Sequence, residues 1–161
     1  MIGSMVALAL FGGLFAPHSG GQVQHFKVQA WDAEVRTDAF TGAVTCRLRG
    51  RDVTVSHGAA AFRFGRWVNT SEAVYRIDGG PAKSGRLAMN GVATLGVRTI
   101  GSNPNNVTGG LVHIPVAELA DASRVAIRTG RDASPRTFDL KGLAAALDTE
   151  KQRGCDQTRA F

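Results

Sequence analysis

The chain has 161 residues, the length of one ordinary domain and enough to bury a core without metal ions. A hydrophobic share of 43% beside 20% charged residues excludes a disordered chain, and 20 glycines favour the many tight turns of an all-β fold. The formal charge is +6, from 19 Lys+Arg against 13 Asp+Glu, yet no basic run is interleaved with aromatics, so nucleic acid is not an expected partner.

From Ile2 to Ala16 the residues are mostly Ala, Leu, Val, Met, Phe and Gly. The first Lys or Arg is Lys27 and the first acidic residue is Asp32. That stretch has the chemistry of a secretory h-region and is too short to span a membrane. Residues 1–22 therefore read as a signal peptide, and 23–161 as a single β-rich domain with no transmembrane segment in the mature chain. The expected location is periplasmic or secreted.

From Phe26 the pattern is extended. Trp31, Ala33 and Val35 alternate with Asp32, Glu34 and Arg36, the period-two signal of a half-buried strand. Thr37 to Gly42 reads as a turn. Val44, Cys46 and Leu48 then alternate with Thr45, Arg47 and Arg49, which places Cys46 on the inward face. Gly50-Arg51-Asp52 leads into Val53 and Val55, so a hairpin is expected. Ala59 to Val68 reads as a further strand, with Trp67 inward and Arg63 and Arg66 between aromatics. Val74 to Asp78 is a short strand, and Asp78-Gly79-Gly80-Pro81 a strong turn signal.

Arg86 to Ile100 predicts two short strands joined at Asn90-Gly91, a dipeptide suited to a type I′ hairpin. Gly101 to Gly110 is a polar loop. Leu111 to Ile114 and the Val125–Ile127 alternation predict strands, with one helical turn over Pro115 to Ala120 between them. Asp139 to Arg153 predicts the one clear helix. Leu140, Leu143, Ala144 and Leu147 recur on one face, Asp139 is a candidate N-cap, and Gly154 a C-terminal stop.

Two cysteines behind an export-like start predict a disulfide between Cys46 and Cys155. A redox-active pair wants C-x-x-C spacing, and a metal site wants more ligands than two. The four histidines show no ligand spacing, the carboxylates no acid–base pair, and the serines no G-x-S-x-G. No cofactor and no catalytic residue is expected. Candidate binding residues are Arg47, Arg49, Arg124 and Arg128, which form an outward basic patch if their two strands are neighbours in one sheet. Trp31 and Trp67 are either core anchors or stacking platforms. The arginines serve either as a solvated face or as a seat for an anionic partner.

The segment Tyr75-Arg76-Ile77-Asp78-Gly79-Gly80-Pro81 resembles the turn of small bacterial periplasmic proteins of the invasion-associated locus B family and of type VI secretion accessory proteins. The stretch from Val125-Ala126-Ile127-Arg128 through Phe138-Asp139-Leu140-Lys141-Gly142-Leu143 to Cys155 is similar as well, as is the placing of Trp31 and Cys46. The resemblance implies a β-sandwich with a C-terminal helix, export to the periplasm and a non-catalytic accessory or interaction role. The expected fold is thus mainly β, an antiparallel sandwich with one C-terminal α-helix. The expected partner is another envelope protein or an anionic surface component. The alternatives are a small-ligand or glycan-binding domain and, further off, a hydrolase.

Overall fold

The computed structural model describes residues 21–94 and 109–158. The expected signal peptide up to residue 20, the second strand expected before Ile100 and the expected loop up to residue 108 lie outside the described residues. In chain order the strands are β1 (Gln22–Val28), β2 (Trp31–Thr37), β3 (Val44–Gly50), β4 (Val53–Ser56), β5 (Ala59–Arg63), β6 (Val74–Ile77), β7 (Lys83–Ser84), β8 (Leu111–Pro115), β9 (Arg124–Arg128) and β10 (Arg136–Asp139). The helices are α1 (Gly85–Thr94) and α2 (Leu143–Gln152), with a 3₁₀ turn over Val116–Glu118.

The strands form two antiparallel sheets, one of six in the order β1-β2-β3-β4-β5-β8 and one of four in the order β10-β9-β6-β7. Their inner faces share one core. Leu48, Val55 and Phe62 from the large sheet meet Tyr75, Val125, Ile127 and Phe138 from the small one. Phe62 and Phe138 pack edge to face with centroids 5.1 Å apart, a favoured aromatic geometry. The mainly β sandwich expected from the alternating pattern is the observed fold.

Alternation sets the register of the large sheet. Val35 faces Cys46 and Ala33 faces Leu48 on the buried side, while Glu34 faces Arg47 and Asp32 faces Arg49 outside. A slip of one residue would turn Cys46 outward and bury two arginines, so burial holds the register. Between β4 and β5, His57 and Gly58 both have positive φ (53° and 75°), as a two-residue primed hairpin turn requires. Trp31 is fully buried, and its indole N–H donates to the Lys141 carbonyl at 3.1 Å. Its ring lies on Gly50, where a Cβ would come within 2.9 Å.

The structure corrects four local expectations. Residues 85–94 form α1 rather than a strand and hairpin. The Ser84 hydroxyl accepts the Leu87 N–H at 3.4 Å, and α1 buries Ala88 while packing along the edge strand β8. Packing against that edge outweighs the local turn preference of Asn90-Gly91. Secondly, β5 ends at Arg63, because the chain turns at Gly65, whose carbonyl accepts the Val68 N–H at 2.8 Å. Trp67 therefore leaves the sheet and is 69% exposed, so it is not an inward anchor.

Thirdly, α2 starts at Leu143. Asp139 ends β10, its carboxylate accepts the Lys141 N–H at 2.8 Å, and Gly142 (φ 84°) occupies the cap position. Fourthly, the buried face of α2 is Leu143, Ala146, Leu147 and Glu150, and Ala144 is exposed. Gly154 (φ 88°) ends the helix as expected. α2 packs against β1 and β2. Just beyond it Cys155 lies at disulfide distance from Cys46, with Cα atoms 6.2 Å apart.

Two outcomes check this packing. Leu143→Ala or Leu147→Ala each lowers the free energy of unfolding by about 2–4 kcal/mol in urea titrations, the usual cost of a truncated core leucine. Non-reduced mass spectrometry of protein from its native compartment shows a Cys46–Cys155 cross-linked peptide that reduction splits.

Candidate functional site

The pleat that turns Cys46 and Leu48 into the core turns Arg47 and Arg49 to the outer face of the large sheet. Across the strands Arg47 stands between Glu34 and Ser56, and Arg49 between Asp32 and Thr54. Arg47, Arg49, Asp52, Thr54 and Arg63 line a cleft of about 450 Å³ on this face. A second depression of about 180 Å³ adjoins it, lined by Glu34, Arg36, Thr45, Arg47 and His57. Arg47 borders both.

Positive charge prevails here. Four arginines, Arg36, Arg47, Arg49 and Arg63, face two carboxylates, Glu34 and Asp52. Glu34 lies 3.8 Å from Arg36 and 3.9 Å from Arg49, loose contacts that hold little energy at an exposed surface. Asp52 is taken by Arg136 of β10, which donates to its carboxylate at 2.5 Å and to the Arg63 carbonyl at 3.0 Å. The Arg136 guanidinium also stacks 4.8 Å from the Phe138 ring. Among the described residues, Arg47 and Arg63 make no ion pair. Each keeps a planar fork of donors for a carboxylate or phosphate, and Thr54 adds a hydroxyl beside them.

The expected four-arginine patch does not form. Arg47 and Arg49 lie on β3 of the large sheet, whereas Arg124 and Arg128 lie on β9 of the small one. Arg63 and Arg36 join Arg47 and Arg49 instead. The sequence signal for Arg63 was present, since it follows inward Phe62 by one position, but its approach to Arg47 depends on strand order. Of the tryptophans, Trp31 is buried, and Trp67 is exposed with the Arg66 guanidinium 4.7 Å from its ring. His25 is exposed opposite Glu34, and His57 forms the hairpin turn. His113 is buried with an unpartnered Nδ1, and burial pulls its pKa below the ordinary value. Thr70 of the Asn69-Thr70-Ser71 sequon donates its buried hydroxyl to the Leu111 carbonyl at 2.7 Å.

The Asp78-Gly79 turn has a structural task. Both residues have positive φ (48° and 79°), and the Asp78 carboxylate accepts the N–H groups of Ser123 and Arg124 at 3.2 and 2.9 Å, fixing β6 to the start of β9. Elsewhere, the Tyr75 hydroxyl (3.0 Å) and Lys83 ammonium (2.6 Å) both donate to Glu118. Burial and then the Glu118 carboxylate push the Tyr75 phenol well above its ordinary pKa.

Glu150 is the one fully buried carboxylate among the described residues. One of its oxygens accepts the Gln157 amide N–H at 2.6 Å, while the other, and the Gln157 Oε1, have no partner. Burial pushes its pKa up to about 7, against the smaller opposing effect of that hydrogen bond. A protonated carboxyl also brings one O–H donor to a site that otherwise holds two unpaired acceptors. No protein-family model matches the chain, and neither a curated protein nor a solved structure matches it.

The Glu150 arrangement makes stability depend on pH in a set direction. The folded state binds the Glu150 proton more tightly than the unfolded state does, so this group's contribution is complete below the unfolded pKa near 4.5 and is lost as pH rises through about 7. The full loss is about 3–4 kcal/mol, at roughly 1.4 kcal/mol per pKa unit. Glu150→Gln flattens this dependence. Relative to the unaltered protein, it is more stable at pH 8 than at pH 5, as urea midpoints at the two pH values measure.

Proposed function

We propose that the protein is an exported, non-catalytic accessory protein of the bacterial envelope that binds an anionic component in the arginine-lined cleft of its large sheet. The observation that carries this reading is the pair Arg47 and Arg63, which face one cleft beside Arg49 with no ion pair of their own among the described residues. A guanidinium that serves only solubility has no need of a concave wall, a neighbouring hydroxyl and a second guanidinium. Export to the periplasm is supported by the apolar N-terminal sequence and by a cysteine pair at disulfide distance, an arrangement that persists in oxidising compartments. Among the described residues no helix is long and apolar enough to cross a membrane. The resemblance of the Tyr75–Pro81 turn and of the C-terminal stretch to the invasion-associated locus B and type VI accessory proteins agrees with an accessory role.

A second reading has one specific support. β1 is an edge strand of seven residues, and among the described residues no strand pairs with its outer side. Such an edge offers backbone donors and acceptors to an extended segment of an envelope protein.

The anion reading is tested with inorganic phosphate at low ionic strength, followed by amide chemical shifts. Shifts centre on Arg47, Thr54 and Arg63, and affinity falls steeply with added salt. The double variant Arg47→Gln/Arg63→Gln binds at least tenfold more weakly, while Arg124→Gln/Arg128→Gln binds as the unaltered protein does. Equal binding by both double variants, or shifts centred on β9, overturns the proposal.

A further inference from the structure

A third depression continues the first two and differs from them in chemistry. It measures about 290 Å³ and lies against Val44, the Cys46 and Cys155 disulfide, Gly58 and Gln157. Thr45, Cys46 and His57 border both this depression and the one beside it, and Arg47 borders that one and the arginine cleft. The first two lie on the outer face of β3, and the third adjoins the second at the strand edge beside the His57–Gly58 turn. Arg47, Arg49 and Arg63 mark one end, and Val44 and the sulfurs mark the other. Val44 sits at the start of the strand, 36% exposed, on the pleat side that carries buried Cys46 and Leu48. Among the described residues the one carboxylate lining this end, Asp156, lies 3.9 Å from the Lys151 ammonium.

We infer that the ligand is a monomeric anionic amphiphile with a single alkyl chain, its charged head on Arg47 and Arg63 and its chain running over Thr45 to Val44 and the disulfide. The inference rests on the anion-binding reading and adds the chemical class of the ligand. Charge complementarity places the head, because Arg47 and Arg63 at that end make no ion pair among the described residues. Continuity places the chain. Arg47 and Val44 point to opposite faces of β3, and β4 pairing ends at Arg47 with Ser56, so the alkyl chain passes from one face to the other round the strand edge at Thr45, beside the His57–Gly58 turn. The span along the strand is roughly 10 Å, which an alkyl chain covers and a compact ion does not. The concave shape favours a free monomer over a bilayer, since lipids in a bilayer present their heads and keep their chains away from a protein cleft. The far end is lined by Thr45, His57, Asp156 and Gln157 as well as by Val44, Gly58 and the two cysteines, but the surface it exposes is mainly apolar, which suits an alkyl chain better than a sugar ring.

The test is calorimetric titration of the unaltered protein, at low ionic strength and below micelle formation, with inorganic phosphate, octyl phosphate and octyl glucoside. Octyl phosphate is expected to bind at least tenfold more tightly than phosphate, since each buried methylene adds about fourfold. It is also expected to bind at least tenfold more tightly than octyl glucoside. Val44→Ser, which adds no charge, removes most of the gain of octyl phosphate over phosphate. Thr45→Trp, an outward strand position that accepts an aromatic, fills the depression and does the same, and thermal melts confirm that both variants fold. If phosphate binds and octyl phosphate binds no tighter, the amphiphile is overturned while the anion reading stands. Octyl glucoside binding as tightly as octyl phosphate overturns it too, because the arginines then contribute nothing. Failure of phosphate and octyl phosphate alike overturns both readings. Capture by anionic vesicles without binding of octyl phosphate replaces the monomer with a membrane surface.

Discussion

The cross-link between Cys46 and Cys155 ties the third strand of the large sheet to the chain just past α2, across a sequence separation of 109. A loop of that length gives roughly 4–5 kcal/mol in the chain-entropy account of disulfide stabilisation. Its position matters as much as its energy. The Cys155 N–H donates to the Glu150 carbonyl at 3.0 Å, and Gly154 turns the chain back at φ 88°. The short segment that follows is thereby folded over Glu150, with Gln157 buried against its carboxylate. The same sulfurs floor the apolar depression at the end of β3. One bond therefore closes the core on one side and shapes the proposed ligand site on the other.

The outer face follows from the inner one. Trp31, Ala33, Cys46, Leu48, Val53 and Val55 must point inward for the sandwich to have a core, and strand geometry then sends Glu34, Arg47, Arg49 and Thr54 outward in register. Of the residues lining the cleft, Asp52 comes from the turn between β3 and β4 and the others from strands. The cleft is the exposed side of three neighbouring hairpin strands, with Arg63 from the next. Arg136 reaches it from the small sheet and neutralises Asp52, so the link between the sheets also raises the positive potential of the cleft. That coupling explains how a surface with two carboxylates among its lining groups stays attractive to anions.

Buried polarity is concentrated away from the cleft. Glu150 packs against Gln157 of the cross-linked tail and His113 lies on the edge strand β8, each with an unpartnered atom. Burial favours the neutral form of both, raising the pKa of the acid and lowering that of the base. Neither lines the arginine cleft, so their titration bears on how firmly the tail and the sheet edge are held, and leaves the charge of the cleft unchanged.

Much of the strand framework was legible in the residues. The two-residue period of Trp31 to Arg36 and of Val44 to Arg49 marks β2 and β3 and says which side of each is buried, because strand side chains alternate faces whatever the strand pairs with. The cysteine pair, the Gly154 stop and the outward direction of Arg47 and Arg49 came from the same local information. β10 was not legible, since Arg136-Thr137-Phe138-Asp139 holds one apolar residue and only pairing with β9 makes it a strand. α1 was misread because Asn90-Gly91 prefers a turn in isolation, while burial of Ala88 beside β8 outweighs that preference in the folded chain. Trp67 looked like a strand aromatic until the Gly65 turn carried it out of the sheet. The site itself was half legible. Sequence alone determined that β3 presents two arginines to solvent, since that follows from a period within one strand. Only the tertiary structure decided that β9 stands in the other sheet, that Arg63 and Arg36 join the β3 pair, and that the disulfide lies at the end of the same strand, because strand order depends on long-range pairing that no local pattern contains.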